Sequence, residues 1–166
     1  MHKIGDLVVY GAFGVMTVVD IRDESIGDLV RSYYVLRPTL SNNEYLTFVP
    51  TENEQLVSAM RPLLTKDEIM SLLHSAKELP PIDWVNENRA RQEYFTRIME
   101  SGDRAKMISM IRAINENGQR REAEGKKNFI ADENVMRKAQ KNITTEFSLV
   151  TGIPESEIFE YIKNAG

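Results

Sequence analysis

The first 50 residues alternate between short apolar runs and turn residues, which is the pattern of an antiparallel sheet. Glycine, asparagine, aspartate or proline separates the runs, and no helix-like spacing occurs between them. Four strands are predicted, at residues 7–10, 15–21, 33–36 and 45–49. Turns are predicted at residues 23–28 and at Ser41–Asn43. Four or five short strands with tight turns favour a small, strongly bent barrel or roll, of the Tudor-like kind.

Beyond residue 50 the apolar positions follow helical spacing instead. A brief helical turn is expected at residues 51–54. Thr65 and Glu68 form a capping box that begins the next helix. Pro80 and Pro81 end this helical segment, because proline lacks the amide donor and its ring clashes with the preceding turn.

Four more helices are predicted after the prolines from their capping residues. They run from Trp84 to about Glu100 with Asp83 as N-cap, from Asp103 to Asn117–Gly118, from Asn128 to Gly152, and onward from Pro154. Residues 119–127 are expected to form a charged connector. The predicted fold class is therefore α+β. A β-rich domain at residues 1–60 precedes an all-helical domain of about five helices at residues 61–166.

The composition is that of a globular protein, with 166 residues, 42% of them hydrophobic and 28% charged. Cysteine is absent, which excludes disulfides and thiolate metal sites and makes a reducing cytoplasm the expected compartment. No apolar run approaches the roughly 20 residues of a membrane span, and the N-terminus lacks the apolar segment of a signal peptide. A cytoplasmic protein without a membrane partner is expected.

The net charge of −4 argues against a protein whose main task is to coat nucleic acid. The charge is distributed unevenly, however. Residues 1–60 contain four basic and eight acidic side chains, whereas residues 61–166 contain 17 of each. The helical half can therefore present a local basic face while the β-rich half stays acidic.

The sequence contains no recognisable catalytic constellation. His2 and His74 are the only histidines, and neither has a nucleophile or metal ligand at motif spacing. The glycines between the first strands lack a P-loop lysine and a following helix. We therefore expect a protein that is not an enzyme and has no cofactor and no small-molecule substrate. An unrecognised hydrolase is a third alternative, behind the two described below.

Trp84 is the only tryptophan, and it follows the two prolines at the junction of the helical segments. Phe95 and Ile98 share its face by helical spacing, but Asn88 and Arg91 lie between them. Two interpretations are open. Trp84 packs against its neighbours as tryptophan usually does, or it projects beyond the packed body to contact a partner.

Several short segments in collinear order resemble the CarD family of bacterial transcription regulators. The matching segments are Gly5-Asp6-Leu7-Val8-Val9-Tyr10, Gly14-Val15, Tyr33-Tyr34-Val35-Leu36, Val49-Pro50 with Asn53, Trp84, Ser101-Gly102-Asp103, and Lys138-Ala139 with Glu146-Phe147-Ser148-Leu149. Each segment alone is weakly specific, whereas the ordered set spans nearly the whole chain and is fairly specific.

The resemblance implies a two-part protein. The β-rich part is similar to the RNA-polymerase-interaction domain shared with transcription-repair coupling factor, which docks on the polymerase β subunit. The helical part of that family reaches upstream promoter DNA. Its tryptophan enters the minor groove at the edge of the melted region and stabilises the open complex. Such a wedge offsets part of the unstacking cost, a few kcal/mol per base step.

The resemblance also implies site residues. The polymerase contact falls on the fourth predicted strand, at Tyr45, Thr47, Phe48, Val49 and Pro50. The DNA contact falls on Trp84, Arg89 and Arg91, with a basic stripe at Arg137, Lys138 and Lys141. Phe48 stands where the family often has a basic residue, which predicts an interface of low salt sensitivity. The basic segment around Arg120 is interpreted as a solvated connector.

Two functions from different classes follow. The first is a regulator that binds polymerase and promoter DNA. The alternative is a protein-interaction adaptor that docks on polymerase or another partner, with Trp84 as a packing residue and the arginines as solvated surface cations.

Overall fold

The computed structural model describes residues 1–40 and 44–164, and the chain divides into two compact units, Met1–Leu63 and Leu64–Gly166. The sequence predicts a boundary between residues 60 and 61, a few residues earlier. The turn predicted at Ser41–Asn43 lies outside the described residues.

Apart from residues 41–43, which are not described, the first unit contains five strands: β1 (Leu7–Tyr10), β2 (Val15–Ile26), β3 (Leu29–Pro38), β4 (Thr47–Pro50) and β5 (Met60–Arg61). They form one antiparallel sheet in the order β4-β3-β2-β1-β5, with a short helix, α1 (Glu54–Ser58), between β4 and β5. A register shift between Val18 and Asp20 marks a β-bulge, which increases the local twist. This sheet and the helices that follow it confirm the predicted α+β class.

The hairpin of β2 and β3 is longer than predicted. Its turn is at Gly27, whose φ of +63° favours glycine. Ser32 Oγ donates a hydrogen bond to the Asp23 carboxylate across the two strands. Most residues on both sides of the turn are exposed. The strands therefore continue without the alternation of buried apolar residues on which a sequence prediction depends.

The core of the first unit comes from alternate residues of the strands, which point to one side of the sheet. Its members are Val8, Met16, Val18, Tyr34, Leu36, Val49 and Met60, with Tyr10 and Val57 packed against them.

In its described residues, the second unit contains five α-helices: α2 (Lys66–His74), α3 (Asn88–Ser101), α4 (Arg104–Ala123), α5 (Ile130–Thr151) and α6 (Glu155–Lys163). The capping box of Thr65 and Glu68 is confirmed at the start of α2. Asp103 caps α4, and Gly152 ends α5 in the left-handed conformation. Helix α5 contacts the other four helices, and none of the described helices is long and apolar enough to cross a membrane.

The predicted end of α4 at Asn117–Gly118 is wrong, because the helix continues through Gly118 to Ala123. A side chain at position 118 would meet the Asn128 side-chain amide, with the nearest atom at 3.1 Å. Gly118 therefore packs closely against Asn128 within the helix and does not end it. Asn128 donates to Glu122 Oε1 at 3.0 Å, and Phe129, not Asn128, is the N-cap residue of α5.

Candidate functional site

Strand β4 forms one edge of the sheet, where in the described residues β3 is its only strand neighbour. The Thr51 amide donates to the Ser32 carbonyl of β3 at 2.9 Å. Backbone groups of an antiparallel strand alternate in direction, so Val49, two residues earlier, also faces β3. The N–H and C=O of Phe48 therefore face away from the sheet, as does the carbonyl of Pro50.

The side chains of the predicted polymerase segment divide between the two faces of the sheet. Phe48 is exposed, and Thr47 and Pro50 are half-buried. Val49 is fully buried in the core, so its side chain cannot contact a partner, contrary to the prediction. Tyr45 is exposed but precedes β4, which begins two residues later than predicted.

Two residues from neighbouring strands surround Phe48. The ring of Tyr33 meets it edge-on at 6.1 Å, and the guanidinium of Arg22 lies 5.3 Å from its ring centre. Arg22 also pairs with Glu24 at 2.7 Å and with Asp20 at 3.6 Å. The sequence analysis missed this cluster, because the bulge in β2 shifts the register that brings Arg22 opposite Tyr33.

Trp84 lies in a segment without regular structure, residues 80–87, rather than at a helix start. Helix α3 begins four residues later, and its N-cap is Glu87 instead of the predicted Asp83. The Glu87 carboxylate accepts hydrogen bonds from Arg89 N at 3.0 Å and Ala90 N at 2.6 Å. These two bonds lower the pKa of Glu87, the Ala90 amide having the larger effect.

The indole of Trp84 is half-buried. Its ring meets Phe95 edge-on, with centres 6.0 Å apart, and the Arg91 guanidinium carbon lies 5.0 Å from its centre. Both contacts anchor the ring to α3, while part of its surface stays open to solvent. Trp84 is thus intermediate between the packed and the projecting residue that the sequence left as alternatives.

Arg91 is buried, with a side chain 1% exposed. Its Nε donates to both carboxylate oxygens of Asp132 at 3.1 Å, and its Nη1 donates to the carbonyls of Val85 and Asn86, also at 3.1 Å. Nη2 donates to Asn88 Oδ1 at 2.8 Å. These intramolecular bonds leave the guanidinium inaccessible to a phosphate, so the prediction of Arg91 as a DNA contact is wrong.

The same bonds explain why the helix does not begin at Trp84. The carbonyls of Val85 and Asn86 would be acceptors in the first turns of such a helix, but they accept from Arg91 instead. A side chain one turn into α3 thus replaces the backbone donors and keeps the segment outside the helix.

Helix α5 completes the surroundings of Arg91. Its Asp132 also accepts from Gln92 Nε2 at 2.6 Å. The ring of Phe129 lies 4.7 Å from the Arg91 guanidinium carbon and 4.0 Å from that of Arg121. Sequence reasoning missed Asp132 and Phe129, since residues about 40 positions apart show no local pattern that could pair them.

Arg89 is the exposed cation nearest to Trp84 along the chain, with a side chain 88% exposed. Among the described residues, its ion-pair partner is Glu93, at 3.2 Å. Such surface pairs contribute about 0–1 kcal/mol and exchange readily for other anions. Arg89 therefore keeps the accessibility that a phosphate contact requires.

The basic stripe of α5 consists of Arg137, Lys138 and Lys141, all exposed. Arg137 lies 3.8 Å from Glu133, and Lys141 lies 2.9 Å from Glu155. At about 100° per residue, the three cations point about 120–180° away from Asp132 around the helix. They are therefore directed away from the side of α5 that meets Arg91, and form a patch separate from Trp84 and Arg89.

Within residues 1–40 and 44–164, no group of three or more histidine, aspartate or glutamate side chains is arranged to hold a metal ion. No curated protein matches the chain. A family model does match it, over residues 2–64, and its description is the CarD-like/TRCF RID domain. The matched range covers the whole sheet of the first unit and confirms the resemblance there. Over residues 2–64, the chain is similar to the CarD-like/TRCF RID domain family.

Proposed function

We propose that this chain is a non-enzymatic transcription regulator that binds the RNA polymerase β subunit through the edge of β4. In the same proposal, the helical unit contacts promoter DNA near the melted region and stabilises the open complex. The observation that carries the proposal is an open sheet edge within a domain of the CarD-like/TRCF RID family. That family assignment supports RNA polymerase as the partner.

The polymerase contact is proposed to form by strand addition, in which a partner strand pairs with an exposed edge. Phe48 has an outward donor and an outward acceptor, and its exposed ring adds an apolar contact. Arg22 beside it already has two acidic neighbours. An interface built on these groups depends weakly on salt, because it does not rely on an unpaired charge.

Two substitutions at Phe48 test strand addition in the full chain. Phe48→Pro removes the outward N–H, and an edge strand tolerates proline at such a position. Phe48→Leu keeps the outward N–H. Pull-down of the β subunit is expected to fail with Phe48→Pro and to weaken modestly with Phe48→Leu. Equal binding by both variants, with circular dichroism showing both folded, would contradict strand addition.

The DNA contact is proposed for Trp84 and Arg89. The half-exposed indole can insert at the edge of the melted region in the minor groove, and Arg89 can contact a phosphate. The stripe of Arg137, Lys138 and Lys141 would contact the backbone elsewhere. Insertion offsets an unstacking cost of a few kcal/mol per base step.

The packing of Trp84 on Phe95 and Arg91 favours a second candidate, the adaptor that binds polymerase without DNA. Open-complex lifetime with purified polymerase distinguishes the two. Trp84→Ala is expected to shorten the lifetime while polymerase binding is retained. Arg89→Ala is expected to reduce the salt slope of DNA binding by about one, unlike Lys106→Ala on exposed α4 surface. An unchanged lifetime in Trp84→Ala would support the adaptor.

A further inference from the structure

Arg91 is an unusual component of a helical core. Removing a guanidinium from water costs several kcal/mol unless its hydrogen bonds and charge are satisfied. Arg91 meets this condition through Asp132, two backbone carbonyls and Asn88. An apolar residue would fill this volume without that requirement, so the hydrogen-bonding pattern itself calls for an explanation.

The pattern is directed at one short segment. The carbonyls that accept from Nη1 belong to Val85 and Asn86, the two residues directly after Trp84. The guanidinium also lies within cation–π distance of the indole, at 5.0 Å. Arg91 therefore contacts both the backbone that carries Trp84 and the ring of Trp84 itself.

We propose that Arg91, oriented by Asp132 and Phe129, is a positioning residue that fixes the orientation of the Trp84 indole. Residues 80–86 of the described chain lie outside helix and sheet, and Glu87 only begins α3 through the bond from the Arg91 amide to its carbonyl, so the anchoring must come from side chains. The consequence for DNA rests on the function proposed above: an indole fixed before binding loses less conformational freedom when it inserts.

The fluorescence of Trp84 provides a direct test, because it is the only tryptophan in the chain. Quenching by acrylamide in the free full-length protein reports how accessible and mobile the indole is. Arg91→Lys keeps the charge but loses the planar fork that bonds two carbonyls and a carboxylate. Phe129→Leu keeps an apolar contact but removes the aromatic face.

Arg104 provides the matched control. It is also buried, and it forms an ion pair of 2.8 Å with Glu146, near the opposite end of α5 from Asp132. Arg104→Lys therefore weakens a similar pair in the same unit. Thermal melting of all variants gives the temperature range in which each is folded.

Arg91→Lys is expected to increase quenching of Trp84, and Phe129→Leu is expected to increase it by a smaller amount. Arg104→Lys is expected to lower the melting temperature and to leave the quenching of Trp84 unchanged. Unchanged quenching in folded Arg91→Lys, or in Phe129→Leu if Arg91→Lys does not fold, would overturn the proposal. An equal increase in Arg104→Lys would overturn it as well.

Open-complex lifetime is measured separately. If orientation matters for DNA, Arg91→Lys shortens the lifetime by about tenfold, which corresponds to about 1.4 kcal/mol. If Trp84→Ala leaves the lifetime unchanged, the DNA function fails, and the quenching data still decide whether Arg91 positions Trp84. A shorter lifetime in Trp84→Ala but not in Arg91→Lys refutes the link between orientation and DNA binding.

Discussion

Two buried ion pairs link α5 to the helices before it, and the two pairs have different roles. Arg91 pairs with Asp132 near the start of α5, and Arg104 pairs with Glu146 near its end. Both arginines also donate to backbone carbonyls. The carbonyls that accept from Arg91 belong to the irregular segment after Trp84. The carbonyl that accepts from Arg104 belongs to Gly102, in the tight turn between α3 and α4.

The carboxylates differ in the same way. Glu146 also accepts from the Leu64 amide at 2.9 Å, at the start of the second unit, and Asp132 accepts from Gln92. The Arg104 pair thus joins elements that the fold requires to be together. The Arg91 pair joins α5 to α3 and, through the carbonyls of Val85 and Asn86, to the segment that carries Trp84. Similar chemistry therefore stabilises the fold at one end of α5 and positions a candidate functional residue at the other.

The largest effect is expected from Glu146→Ala. Removing one partner of a buried pair takes the Glu146 carboxylate away from the buried Arg104 charge, which costs about 3–5 kcal/mol of unfolding free energy. Chemical denaturation measures this loss, and Trp84 quenching in the remaining folded protein should not change. Glu146→Gln, which keeps an acceptor, should lose less. Increased quenching in Glu146→Ala would show that the two pairs are not independent.

Asp132→Asn is expected to have a smaller but different effect. The amide keeps one acceptor oxygen and loses the charge, which costs about 1.5–3 kcal/mol for a hydrogen bond to a charged group. Unlike Glu146→Ala, this change should increase Trp84 quenching in folded protein. A lower unfolding free energy of Asp132→Asn with Trp84 quenching at the wild-type value would contradict the distinction between the two ion pairs.

Trp84→Ala is expected to cost about 1–2 kcal/mol, because the half-buried ring gives up one aromatic contact and one cation–π contact. A fully buried tryptophan would cost about 3–5 kcal/mol. Denaturation of the variant decides between these values. A cost in the higher range, with polymerase opening kinetics unchanged, would establish Trp84 as a packing residue.

The smallest effect concerns the N-cap of α3. The pKa of Glu87 lies below its usual value of 4.5. Its hydrogen bonds therefore contribute to stability above that value, and the contribution disappears as the pH falls through the lowered pKa. Trp84 fluorescence, three residues away, should change below about pH 4.5. This change in fluorescence should be smaller in Glu87→Gln than in the wild-type protein. Glu68→Gln, which alters the cap of α2 instead, should show the same change as the wild type.

Local signals predicted most of the fold. The capping box at Thr65 and the caps at Asp103 and Gly152 depend on neighbouring residues, so a sequence displays them directly. The start of α3 was mispredicted because Arg91 takes the carbonyls that a longer helix would use. The end of α4 was mispredicted because Gly118 packs against Asn128.

The candidate sites were predictable to different degrees. The sheet edge followed from the strand pattern, and Phe48 is exposed there as a strand-binding residue requires. The orientation of Arg91 could not be predicted, because its partner Asp132 is 41 positions away. Long-range pairs of this kind depend on tertiary packing and leave no periodic trace.

The proline at the end of β4 bears on self-association. An exposed strand edge can pair with the same edge of another copy and begin a fibre. Pro50 has no N–H, and its carbonyl already accepts from the Asn53 amide at 3.1 Å, so a second copy finds one donor fewer along an edge of only four residues. A partner strand can still pair with the outward N–H and C=O of Phe48. The edge therefore discriminates against copies of itself while it remains open to a complementary strand.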